Sequence, residues 1–175
     1  MQREIKKRIF QIIISICLVL NIIFLNLFFL TYEILHIFGH ILTGIGAFIY
    51  ILSIITFHRN KDRESLISKG VYSIVRHPLF LGVIIMFLSH IFLSQNWFII
   101  LNTIIAIICI YFICYIEEKE NIEKFGEKYE KYIKKVPRFN FLTGIWRLIE
   151  KKKISKMKNR RTYYSNTDDY SYKYM

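Results

Sequence analysis

Three long stretches of this chain carry no Asp, Glu, Lys or Arg. They run from Ile9 to Tyr32, from Ile34 to Phe57 and from Pro78 to Ile116. Their histidines are His36 and His40 in the second and His90 in the third. A helix that crosses a membrane needs roughly 20 apolar residues at about 1.5 Å rise each. The first two stretches therefore predict one spanning helix apiece. The third is about twice that length and predicts a helical hairpin turning near Ser94 to Trp97. The spans fall at about 9–32, 34–57, 78–94 and 97–116. The expected fold is all-α: a polytopic membrane protein with about four transmembrane helices, a cytoplasmic amphipathic helix and a basic tail.

The polar positions give the orientation. The start, "MQREIKKR", the loop from His58 to His77 and the segment after Ile116 are rich in Lys and Arg. The connections around Glu33 and Gln95 contain neither. The positive-inside rule then puts both termini and the central loop in the cytoplasm of a multi-pass integral membrane protein. Composition agrees: 54% of the 175 residues are hydrophobic and the formal net charge is +12. The first stretch is too long for a secretory signal and lacks a small-residue cleavage site, so it reads as a retained helix. Cys17, Cys109 and Cys114 all fall within predicted spans and read as buried thiols.

Beyond Ile116 the periodicity changes. Ile122, Phe125, Tyr129, Tyr132 and Val136 recur at helical spacing, and Glu120–Lys124, Glu127–Lys131 and Glu130–Lys134 form i,i+4 pairs. This predicts an amphipathic helix over about 117–135, continuing from the membrane, with one stripe to dock. Gly126 inside it implies close packing or a bend, and Pro137 ends it. A second apolar patch, Phe139 to Ile149, mixes aromatics with Arg147 and suits the membrane interface, where Trp146 and Arg147 are both at home. Residues 1–150 are expected to form one domain, and 151–175 a basic, Tyr-rich tail that is either disordered or drawn to anionic lipid, with no nucleic acid as partner.

No metal is expected. Glu33, His36 and His40 share a helical face near the outer end of the second span, but they fall short of a ligand set and read as a rim joined by ion pairing or hydrogen bonding. Gly44-Ile45-Gly46 follows no strand and lacks the third small residue of a dinucleotide loop, so Gly39, Gly44 and Gly46 read as helix-packing positions. Asn21, Asn26 and Asn102 are expected to bond between helices, and His90 to lie at the interface.

Two pairs remain. Arg76-His77 opens the third helix and Glu117-Glu118 closes the fourth. Singly, the first reads equally well as a snorkelling anchor and the second as the point where water begins. Together, across a hairpin, they lie side by side at one membrane boundary. A pocket there offers cationic donors on one wall and carboxylates on the other, open to cytosol and to lipid. A transporter would instead carry polar residues at mid-membrane, where this chain has few.

"GVYSIVRHPLFLG", a hairpin, and then "EEKENIEKFGEKYEKYIKKVPRF" resemble the membrane methyltransferases that include isoprenylcysteine carboxyl methyltransferases and phospholipid N-methyltransferases. The shared pattern falls on Gly70 and Tyr72; on Arg76, His77, Pro78 and Gly82; on Glu117 and Glu118; on Phe125, Gly126 and Tyr129; and on Pro137, Arg138 and Phe139. It covers about the central 70 residues. Phe80 stands where the family carries Tyr, which removes a hydroxyl but leaves a ring to stack.

The resemblance implies S-adenosylmethionine as methyl donor, with Tyr72, Arg76, His77, Pro78, Phe80, Gly82, Glu117 and Glu118 around it. Arg76 and His77 suit its carboxylate, Glu117 or Glu118 its ammonium or ribose, and Tyr72 and Phe80 its adenine. For a carboxylate acceptor, an isoprenylcysteine or another lipidic acid, no base is needed and Arg138 is the positioning cation. For an amine acceptor, such as a phospholipid ethanolamine, Glu117 or Glu118 must take a proton. The Arg of Pro137-Arg138-Phe139 leans toward the carboxylate. A non-catalytic membrane protein retaining the fold is the alternative from another class.

Overall fold

The computed structural model describes residues 2–27, 33–60, 66–150, 153–154 and 156–157. The connection before Glu33, residues 61–65 of the central loop, most of the tail and the Asn26 and Glu33 side chains lie outside the described residues. By compactness the chain divides into Met1–Phe139 and Asn140–Met175, each described by itself.

The first unit contains α1 (Gln2–Leu27), α2 (Glu33–Arg59), a 3-10 turn (Gly70–Ser73), α3 (Pro78–Ser94), α4 (Trp97–Phe125) and α5 (Glu127–Lys135). No strand occurs among the described residues. Three helices, α1, α2 and α4, are long and apolar enough to cross a membrane. The fourth, α3, has 17 residues and an apolar sequence, a length of about 25 Å that lies at the short end for a span. The hairpin turns where hydropathy places it. Gln95 takes the left-handed conformation at φ 50°, and the Asn96 side chain caps α4 by accepting from the Phe98 N–H at 2.9 Å.

Small and polar residues join the helices. A Cβ on Gly82 of α3 would lie 2.7 Å from the Gly46 carbonyl oxygen of α2, so the two backbones touch there. Thr43 donates to Ser89 across the same pair at 2.8 Å. The Asn102 amide donates to Asn21 at 2.6 Å and to the Cys17 carbonyl at 2.7 Å, tying α4 to α1. His90, expected at the interface, is half-buried beside Asn21 and edge-on to Phe87, because this polar cluster gives its ring a partner inside the bundle. Cys17, Phe87 and Ala106 form the core among α1, α3 and α4, and Ile12, Ile37 and Ile104 lie on the exposed, lipid-facing side.

The amphipathic helix expected over about 117–135 is two pieces. α4 runs unbroken through Glu117 and Glu118 to Phe125, because the change in charge there does not interrupt its backbone hydrogen bonds. Gly126 (φ 54°, ψ −134°) then breaks it from α5. A Cβ at Gly126 would meet nothing within 4 Å, so the bend and not close packing is why glycine stands there. The apolar stripe of α5 docks: Tyr129, Tyr132 and Val136 are buried against Leu66, Ile122 and Phe125. The second unit begins with α6 over residues 141–150, where Asn140 caps by accepting from the Thr143 N–H at 3.1 Å.

Candidate functional site

The turn that carries Arg76 and His77 is held by backbone. Gly70 opens it at φ 59°, in the left-handed region, with Thr56 close beside it. The Arg76 N–H donates to the Pro137 carbonyl at 2.9 Å and the His77 N–H to the Arg138 carbonyl at 3.4 Å. The Tyr132 hydroxyl donates to the Tyr72 carbonyl at 2.6 Å. The segment after α5 therefore clasps the turn before α3. Pro78 takes the first position of α3, where its missing N–H costs nothing, and is fully buried.

The four residues of the two pairs meet. Glu118, only 9% exposed at its side chain, lies 3.3 Å from Arg76 Nη1 and 3.3 Å from His77 Nε2. Arg138 grips the same carboxylate through Nε at 3.0 Å and through Nη2. Glu117 approaches His77 Nδ1 at 3.6 Å. Burial pushes the His77 imidazole toward neutrality, but contacts with the Cys114 sulfur and with Glu117 and Glu118 outweigh it, raising its pKa from 6.5 to about 11. The two carboxylates beside the ring thus favour its protonated form. The cluster then holds three cations, Arg76, His77 and Arg138, against two carboxylates, Glu117 and Glu118. An uncompensated buried charge is expensive. The Nε and Nη1 of Arg76 are buried and make no hydrogen bond; the Nη1–Glu118 approach is an ion pair without hydrogen-bond alignment. Arg76 thus borders the cavity with two of its buried donors unbonded within the protein.

A cavity of about 820 Å³ opens beside this cluster, within the range of small-molecule sites. Tyr72, Arg76, His77 and Phe80 line one side, Glu117, Glu120 and Asn121 of α4 another, and Tyr129 and Tyr132 of α5 a third. Burial and the Glu117 charge raise the Tyr72 hydroxyl to about 12, so it remains a donor. Of the residues expected from sequence, Tyr72, Arg76, His77, Phe80 and Glu117 border the cavity, whereas Pro78, Gly82, Glu118 and Arg138 are not among its lining residues. Pro78 starts the helix, Gly82 lies at the α2–α3 contact, and Glu118 with Arg138 braces the wall. The Arg138 guanidinium also lies 4.9 Å from the centre of the Tyr111 ring.

Sequence reasoning missed Lys7 of α1, His58 at the end of α2, and Asn121 and Lys124 of α4, all of which line the cavity. Lys7 donates to Glu120 at 2.8 Å. The basic N-terminus signalled topology and not a site. The tyrosines were legible as a stripe, but not what the stripe faces. Among the described residues no group of three or more His, Cys, Asp or Glu gathers as a metal site, and His36 and His40 have their rings 6.2 Å apart.

Comparison with known proteins gives one finding for this architecture. A family model described as "Phospholipid methyltransferase" matches residues 11–128, which carry α2, α3, α4 and most of α1. No curated protein and no solved structure matches the chain.

Proposed function

The chain belongs to the phospholipid methyltransferase family, a group of membrane methyltransferases, and from that premise we propose that its cavity holds S-adenosylmethionine and a lipid amine as methyl acceptor. The observation that carries the reading is Arg76: a guanidinium at the cavity wall with two donors that bond to nothing in the protein. A carboxylate-bearing cofactor fits those donors. Tyr72, Phe80 and Tyr129 supply aromatic surface for an adenine, and the volume accommodates a cofactor with an acceptor headgroup.

When bound, S-adenosylmethionine supplies a methyl carbon on a cationic sulfur that leaves as a neutral thioether. Arg76 and the His77 imidazolium orient the carboxylate end. Glu118 fixes both cations and is itself fixed by Arg138. Glu117, 30% exposed and on the cavity wall, takes the proton from the acceptor ammonium, freeing the nitrogen lone pair for the new N–C bond.

The choice of amine follows from Arg138. A carboxylate acceptor needs a cation to position it, and Arg138, the residue first expected there, is engaged by Glu118 away from the lining. Of the carboxylates in the lining, Glu120 is bonded to Lys7, and Glu117 is the one left to meet an acceptor ammonium. Carboxyl methylation of an isoprenylcysteine-like acid is the second reading, favoured by Lys7 at the cavity wall. Calorimetry in detergent tests the cofactor: the wild type binds S-adenosylmethionine, and Arg76→Ala weakens binding about tenfold or more. No binding by the wild type overturns the proposal. Labelled methyl transfer tests the acceptor: base-stable label on phosphatidylethanolamine supports the amine, and base-labile label on a prenylcysteine supports the acid. Glu117→Gln is expected to retain cofactor binding and lower amine methylation about 100-fold or more.

A further inference from the structure

We propose that α6 lies in the membrane surface, its apolar face among the acyl chains and the basic run that follows it on anionic headgroups. The helix is amphipathic. Phe141, Leu142, Ile145, Trp146, Leu148 and Ile149 fall on one broad arc, with Thr143, Arg147 and Glu150 opposite. Leu142, Trp146 and Ile149, spaced four and three apart, are 79%, 72% and 59% exposed. Three large apolar side chains exposed together on one face need a cover.

Charge identifies the cover. From Arg147 to Arg161 the sequence holds eight cations, Arg147, Lys151, Lys152, Lys153, Lys156, Lys158, Arg160 and Arg161, against the single carboxylate Glu150. A second copy of the chain would bring the same charges against these. An anionic lipid surface complements them, at roughly 1 kcal/mol per Lys or Arg near the surface. An apolar face with an aromatic at its edge and a basic flank is the pattern of a helix lying in the interface. Only Asn140 separates α6 from Phe139, whose ring stands 6.2 Å from that of His77.

The sequence supplies its own probe, since Trp97 and Trp146 are its only tryptophans. Trp97→Phe leaves Trp146 as the single reporter in the full chain, reconstituted in nanodiscs of phosphatidylcholine with or without phosphatidylglycerol. The expected result is blue-shifted emission, quenched by lipids brominated on their acyl chains, and more strongly quenched with phosphatidylglycerol. Adding Leu142→Ser and Ile149→Ser returns the emission to that of solvated indole. Changing Lys151, Lys152 and Lys153 to Gln weakens the dependence on phosphatidylglycerol. Solvated emission in every disc overturns the proposal. So does blue-shifted emission that brominated lipid does not quench, which means α6 packs on protein. Quenching indifferent to phosphatidylglycerol overturns it too, as does a shift that appears only with two copies per disc. None of these readouts depends on methyl transfer.

Discussion

Glu118 is the residue on which the cluster turns. One buried carboxylate faces Arg76, His77 and Arg138, so its loss leaves three cations sharing only Glu117. Glu118→Gln keeps the shape and removes the charge. It is expected to cost about 3–5 kcal/mol, the range for breaking a buried ion pair from one side. Arg138→Met is expected to cost less, because Arg76 and His77 still compensate Glu118. Cys17, Cys109 and Cys114 are buried free thiols, so a thiol-reactive fluorophore followed against temperature reads both variants. Equal stability of Glu118→Gln and wild type would refute the three-cation arrangement.

His77 yields a pH prediction. Its folded-state pKa is raised from 6.5 to about 11, so between those values the folded chain binds a proton that the unfolded chain does not. Its contribution to stability is complete below about 6.5 and declines as pH rises toward about 11. The stability gap between wild type and His77→Gln is therefore expected to be widest in mild acid and to narrow in alkali. A gap that widens with pH would show that His77 is neutral in the fold.

At the scale of elements, glycines separate two kinds of constraint. Gly126 has open space around it but a backbone conformation nearly confined to glycine. Gly126→Ala is expected to lose about 1–3 kcal/mol and to misplace α5, whose Tyr129 and Tyr132 line the cavity. Gly82 has helical geometry but no space, so Gly82→Ala drives α2 from α3. Gly44 has neither constraint, and Gly44→Ala is expected to be neutral or to stabilise by up to about 1 kcal/mol. Thermal unfolding of the three variants checks this ranking, and a Gly44→Ala loss as large as that of Gly82→Ala contradicts it. Sequence alone reads Gly39, Gly44 and Gly46 alike as packing residues. Gly39 and Gly46 do face α3, against Leu93 and Gly82, whereas Gly44 faces none, because the rotation of α2 is chosen by its neighbour and not by its own composition.

At the scale of the molecule, the distribution of Lys and Arg predicts that both ends and the central loop share the cytoplasmic side with the cavity. In sealed, right-side-out spheroplasts, protease is expected to spare tags at either end, while a cysteine introduced at Asn96 reacts with an impermeant thiol reagent. Cleavage of both tags with a protected Asn96 would invert the topology.

The helices, the hairpin at Gln95 and Asn96, and the meeting of Arg76-His77 with Glu117-Glu118 were all legible along the chain. Each depends on local pattern: the length of an apolar run, a turn residue, and two charge pairs at the two ends of one long apolar run that folds back on itself. What each charge faces was not legible. Arg138 belongs to Glu118, Lys7 reaches the cavity from the far end of the sequence, and Tyr132 clasps Tyr72. Those pairings join residues 20 to 113 positions apart, and sequence carries no rule for the angle at which one helix meets another. Hydrophobicity determined that this chain enters a membrane and where it turns, because that energy is summed residue by residue. Tertiary packing decided which cation is committed to a carboxylate and which keeps its donors open, because hydrogen bonds and ion pairs act only at contact distance.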